Sequence, residues 1–248
     1  MRPSRRFLSR LLTFALTGAL TLALALAART ARAQPPDPEL MARLALHAAA
    51  IDRMRTHACY LLEGEMESLD GDGKVDGIKK ILGRVEGDGE RARFFVVRYT
   101  EDGKDKADDM RKQTKESNDE SKEDRAKKHI EMPFVAAAQP HYVFDQVAVD
   151  TADPSRVQIS FVPREPSEHT SEGSVWVDTK AGTILTAGFK LSKPGFFVDY
   201  VHITMEFGAK TELGPAISRI TLDGKGGILF IRKRFRGWAT LSDYTMTP

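Results

Sequence analysis

The side chains best suited to metal binding or nucleophilic chemistry in this 248-residue sequence are six histidines (His47, His57, His129, His141, His169, His202) and one cysteine, Cys59. A zinc site needs paired donors at fixed spacing, and no His-Glu-x-x-His or Cys-x-x-Cys pattern supplies them. Neither Gly-x-Ser-x-Gly, which would present an activated serine, nor a phosphate-cradling glycine loop occurs. The run from Asp70 through Asp72 and Lys74 to Asp76 resembles the start of a calcium loop. With Gly73 as the loop's invariant glycine, Ser68 falls first and Lys79 last, where acidic ligands are required, so a hairpin turn is expected instead. Cys59 lies in an apolar run and reads as a buried, inert thiol; alone, it can form no intrachain disulfide. The residues therefore suggest no enzyme, no metal and no cofactor.

What remains is apolar patterning. From Glu39 to about Arg55, Leu40, Leu44, His47 and Ile51 recur at three- and four-residue spacings, which predicts a helix with one apolar stripe. Beyond His57 the period becomes two. Strands are expected at 58–69, 74–85 and 91–100, joined by Asp-Gly turns as an antiparallel meander. Further strands are expected at 142–149, 156–162, 174–178, 183–191, 197–207, 216–222, 227–234 and 238–244. About eleven strands with short turns imply one large antiparallel sheet, a mainly β fold curled into a barrel or half-barrel.

The alternation nominates one face. Phe95 and Val97 would lie on it, with Val157, Ile159 and Phe161 from a later strand. Leu185, Ala187, Phe189 and Leu191 share a face in the next region, and so do Phe197, Val201, Ile203, Met205 and Phe207, with Asp199 as an exception. Either this face is a core filled by side chains and the N-terminal helix, or it lines a cavity for an apolar ligand. Periodicity alone favours the filled core.

Residues 101–131 interrupt the strands. Twenty of these 31 residues are charged, nine basic and eleven acidic, so the segment is expected to be a solvated helix or a mobile loop. Its mixed signs leave no basic stripe, although a partner-binding helix is the alternative.

The chain carries 37 Lys+Arg against 35 Asp+Glu, a net charge of +2. Six of the arginines fall in residues 1–33, which hold no acidic residue, so the rest of the chain is mildly acidic and does not suggest a nucleic-acid partner. With 41% hydrophobic residues, disorder of the whole chain is excluded. Residues 1–33 read as a cleaved signal peptide: a basic start, an apolar stretch from Leu11 to Ala28, and Ala31-Arg32-Ala33 before Gln34. The expectation is a soluble exported protein, residues 34–248 forming one domain with no membrane span after cleavage. It would carry no lipid anchor, because no cysteine lies near the cleavage site. The strands lack paired aromatic girdles, which disfavours a membrane β-barrel.

Four segments, spread over about residues 55–246, carry a resemblance. These are Leu69 to Lys74, Tyr99 to Lys104, the strand–turn–strand from Gly173 through Trp176, Asp178 and Gly182 to Ile184, and the closing Ile231 to Phe235 followed by Tyr244. In this order they resemble the LolA/LolB-like outer-membrane lipoprotein-sorting family, and more closely an exported branch with a charged helical insertion. The resemblance implies an unclosed half-barrel of about eleven strands with helices over its apolar concave face. It also implies a periplasmic carrier or sensor for lipoprotein acyl chains or another lipid. The receptor-facing residues of the family have no match in this sequence. The competing expectation is an envelope structural or interaction protein with a filled cavity, which binds a protein partner through residues 101–131.

Overall fold

Asp37 starts the first helix by accepting the Glu39 N–H at 3.1 Å, and Pro38 follows at the first helical position, where no amide is needed. The helix, α1 (Pro38–His57), buries Leu40, Met41, Leu44, His47, Ala48, Ile51 and Met54 as one stripe, and its last turn carries Arg55 and His57. The computed structural model describes residues 34–121, 130–195, 198–228 and 231–247. The expected signal peptide, Phe197, and residues 122–129 of the charged segment lie outside the described residues.

The strands are β1 (Ala58–Leu69), β2 (Val75–Gly87), β3 (Ala92–Glu101), β4 (Lys104–Asp105), β5 (Tyr142–Val149), β6 (Arg156–Pro163), β7 (Ser171–Asp178), β8 (Thr183–Leu191), β9 (Val198–Thr211), β10 (Gly214–Ile228) and β11 (Ile231–Met246). They form one antiparallel sheet in the order β4-β3-β2-β1-β11-β10-β9-β8-β7-β6-β5. The chain enters at the middle with β1 and meanders to the β4 edge. It then crosses to the β5 edge and meanders back until β11 pairs with β1. The two edge strands are not joined, so the fold is a mainly β, unclosed half-barrel with two α-helices among the described residues.

The eleven strands are not quite the eleven expected. The last three expected strands are two long ones, β10 and β11, and the count is restored by the short β4. The Asp223-Gly224 step does not turn. Gly224 pairs with Phe235, whose ring occupies the space where a side chain at Gly224 would be, so the glycine marks a close approach within a strand. Gly208, also expected to separate strands, lies inside β9. The turns after β1 and β7 hold. Asp70 accepts the N–H groups of Asp72 and Lys74 at 3.0 and 2.8 Å, and Asp178 accepts those of Lys180 and Ala181 at 2.8 and 3.0 Å.

The charged segment contains α2 (Ala107–Asn118), which is more than a solvated helix. The Asn118 side-chain amide donates to the Phe94 carbonyl at 2.9 Å and accepts the Phe94 N–H at 3.0 Å. Arg111 donates to the carbonyls of Val96 and Val97, each at 3.2 Å. The helix thus satisfies the stretch of β3 edge that β4 is too short to cover. Beneath it, Ala107 and Met110 pack with Val96, Tyr99, Ile81 and Phe94. No described helix is long and apolar enough to cross a membrane.

One row of paired residues crosses nine strands: Ile159, Val175, Ala187, Met205, Ile220, Ala239, Gly64, Ile81 and Tyr99. Paired residues share a face of the sheet, so this row gives the inner surface a continuous floor with no charged side chain. α1 covers its β6–β8 half, where Leu40, Leu44 and Ala48 pack with Val157, Ile159, Val175, Val177 and Ile184.

Candidate functional site

Between α1 and the sheet, side chains do not fill the inner face. They leave a cavity of about 330 Å³. Its floor is Phe161, Val175, Ala187, Phe189, Ile203, Met205 and Phe207, with Ala216, Ile217 and Leu241 beyond them. Its roof is Ala48, Ile51 and Met54 of α1 together with Ile130–Phe134, the segment that leads toward β5. Tyr60 and Tyr244 close one side, their rings stacked at 4.8 Å, and the Tyr244 hydroxyl donates to the Ile217 carbonyl at 2.8 Å. Burial raises the pKa of both phenols, so both stay protonated.

The charged lining residues, Arg55 and Glu131, are each engaged elsewhere. Arg55 pairs with Asp52 at 3.0 Å, and Glu131 meets His141 Nδ1 at 2.9 Å. A cavity with this lining can exclude water and hold hydrocarbon. It brings together no nucleophile–base pair, and the described residues contain no group of three or more His, Cys, Asp and Glu placed to hold a metal ion.

The roof helix is tied down through polar groups on its inner side. His47 Nε2 lies 3.0 Å from the Pro215 carbonyl, and its Nδ1 lies 3.0 Å from the Ile184 N–H. Both contacts are hydrogen bonds when the ring is neutral with its proton on Nε2. Burial lowers the pKa of His47, with the bond to Pro215 opposing the shift. One turn earlier, Arg43 donates to the Thr179 carbonyl at 2.8 Å and lies against Gly182, whose φ of 68° no side chain would favour.

The residues nominated from sequence divide into three groups. Phe161, Phe189, Ile203, Met205 and Phe207 line the cavity. Val157 and Ile159 are buried in the packed core under α1, and Val201 shares a face with Ile203 but falls outside the cavity. Leu185, Phe95 and Val97 lie elsewhere. In β8 the register slips between Trp176–Thr186 and Val177–Ile184, so Leu185 is bulged and Ile184 takes the inward position. In β3 the register slips at Val97, and Val96 and Tyr99 turn inward while Phe95 and Val97 are 44% and 53% exposed. A bulge leaves no mark in an alternating run, so strict alternation selects the wrong face on one side of it.

The roof residues Ile51 and Met54, the two tyrosines, and Met132 and Phe134 were not nominated. Tyr60 continues the alternation of Ala58, and Ile51 lies on the α1 stripe, so both carried a signal. Met132 and Phe134 sit in an irregular segment that has none. Cys59, expected to be enclosed, is partly exposed and outside the cavity.

No protein-family model matches this chain, and no curated protein does. Among solved structures, the MucA/MucB complex of Pseudomonas aeruginosa aligns at 9% identity over 85% of this chain and 99% of that one, with a TM-score of 0.27. A structure of MucB in complex with MucA(peri) aligns at 9% identity over the same shares, with a TM-score of 0.22. Similarity of this degree identifies neither a family nor a function.

Proposed function

We propose that this chain is an exported, non-enzymatic carrier or sensor in the bacterial periplasm, binding acyl chains of lipids or lipoproteins in the cavity beneath α1. The observation that carries the reading is the cavity itself: about 330 Å³, floored and roofed by aliphatic and aromatic side chains, with its two charged neighbours already paired. Burying a methylene contributes about 0.8 kcal/mol, so an acyl chain needs a dry, openable space and no catalytic group. The roof is openable in principle because α1 and Ile130–Phe134 lie over the sheet and are not strands of it. A LolA-like sorting role is the specific form of this reading, and export rests on the basic and apolar character of residues 1–33.

The test is titration of the protein, without residues 1–33, with a fluorescent long-chain fatty acid. Saturable one-to-one binding is expected. Ala187→Trp, which fills the cavity from its floor, should weaken it at least ~10-fold, because tryptophan occupies the space the chain needs. A folded protein that takes up no fatty acid would overturn the reading. An envelope protein partner is a second reading, supported by the exposed Lys112 and Glu116 of α2, which are not among the residues facing β3. Under that reading, charge reversal on α2 would abolish partner capture and leave fatty-acid binding intact.

A further inference from the structure

The inner face does not end at the cavity. Past β10 it continues into an open groove of about 360 Å³ that α1 does not roof. The shared row of residues carries the floor on without interruption, from Met205 to Ile220, Ala239, Gly64, Ile81 and Tyr99. The middle of the groove is low because it is backbone. A Cβ at Gly64 would lie 2.8 Å from the Trp238 carbonyl oxygen and 3.2 Å from the Ala239 Cβ. Leu222, Met66 and Lys79 form one flank, and Met110 of α2 stands at the other. The charged lining residues Lys79 and Glu65 are paired with Glu101 and Lys80 at 3.2 and 3.0 Å. Met66 is 40% exposed, a large apolar side chain open to water on an inner face.

Two features decide the occupant. The strands under the groove are interior strands whose backbone groups are paired with their neighbours, so the floor offers a peptide no backbone hydrogen bonds and suits hydrocarbon. The groove also adjoins the cavity as a second half of the same inner face, with Met205 of the cavity paired to Ile220 of the groove. The cavity floor runs from Phe161 of β6 to Leu241 of β11 and the groove floor from β10 to β3, five and four interstrand gaps. At ~4.8 Å per gap, the halves are roughly 24 and 19 Å long. One acyl chain spans half of a ~30 Å hydrocarbon core, about 15 Å. Each half therefore accommodates one chain.

We infer that the ligand is a two-chain lipid, one chain enclosed in the cavity and the other laid in the groove between β10 and α2. The inference rests on the acyl-carrier reading and assigns α2 a second role, as the outer wall of the groove. Dioctanoyl phosphatidylglycerol and its single-chain mono-octanoyl form are the probes, titrated by calorimetry below their micelle concentrations. The protein should bind the two-chain probe at least ~100-fold more tightly, since the second chain gains its own burial. Leu222→Glu and Met66→Gln should each weaken two-chain binding at least ~10-fold and leave single-chain binding unchanged. Thermal midpoints close to the parent show that both variants fold, and Met66→Gln, at an exposed position, guards against loss of fold in Leu222→Glu. Unchanged two-chain binding in both variants, or equal loss for both probes, would overturn the inference while leaving the cavity reading intact. If the protein binds neither probe and no fatty acid, the cavity reading fails and this inference with it.

Discussion

His47 shows how one residue can couple the roof to the sheet. Its neutral ring donates to Pro215 and accepts from Ile184, linking α1 to β10 and β8. A proton on Nδ1 would set that nitrogen against the Ile184 N–H and lose one bond. Because burial lowers its pKa below 6.5, folded and unfolded states both hold a neutral ring above pH 6.5. As pH falls through 6.5 the unfolded state takes up the proton first, so stability is lost from there down to the lower folded pKa, by up to ~1.4 kcal/mol per pH unit. Urea unfolding at pH 7.5 and 5.5 should show this loss, and His47→Gln should reduce it; a parent-like pH dependence in the variant would refute the assignment. His47 was legible as a member of the helix stripe. Its partners were not, since they lie 137 and 168 residues away in the chain.

At the level of elements, α1 and the Asp-Gly hairpins were legible because their signals are local. A three-to-four spacing and a turn residue with its Asx hydrogen bonds declare themselves within a few residues. Bulges did not, because a bulge is a relation between two strands. That is why Leu185 was nominated in place of Ile184, and Phe95 and Val97 in place of Val96 and Tyr99. The helix of the charged segment was legible and largely exposed as expected, but its docking was missed for a related reason. Composition correctly denies it a broad apolar face, but α2 docks through polar side chains on an open strand edge. Asn118→Ala removes two of these bonds and should destabilise the protein by about 1–2 kcal/mol. Hydrogen exchange should quicken at the Phe94 amide and remain slow at β7 and β8; unchanged protection at Phe94 would show that the edge is covered by something else.

For the whole molecule, the mainly β character and the approximate strand number followed from turn spacing, and the unclosed half-barrel was an implication of family resemblance. The crossing from one edge to the other and the closure of β11 onto β1 are long-range pairings that no local pattern encodes. The cavity was equally hidden, because an unfilled space depends on how two roofing segments settle over the sheet. The central claim is that this space exists to hold acyl chains. Mass spectrometry of lipids extracted from the protein purified from a bacterial periplasm tests it most directly. The expected result is an acyl-bearing lipid in near-stoichiometric amount, depleted in Ala187→Trp. A folded, native preparation that carries no acyl species and takes up no fluorescent fatty acid would contradict the claim.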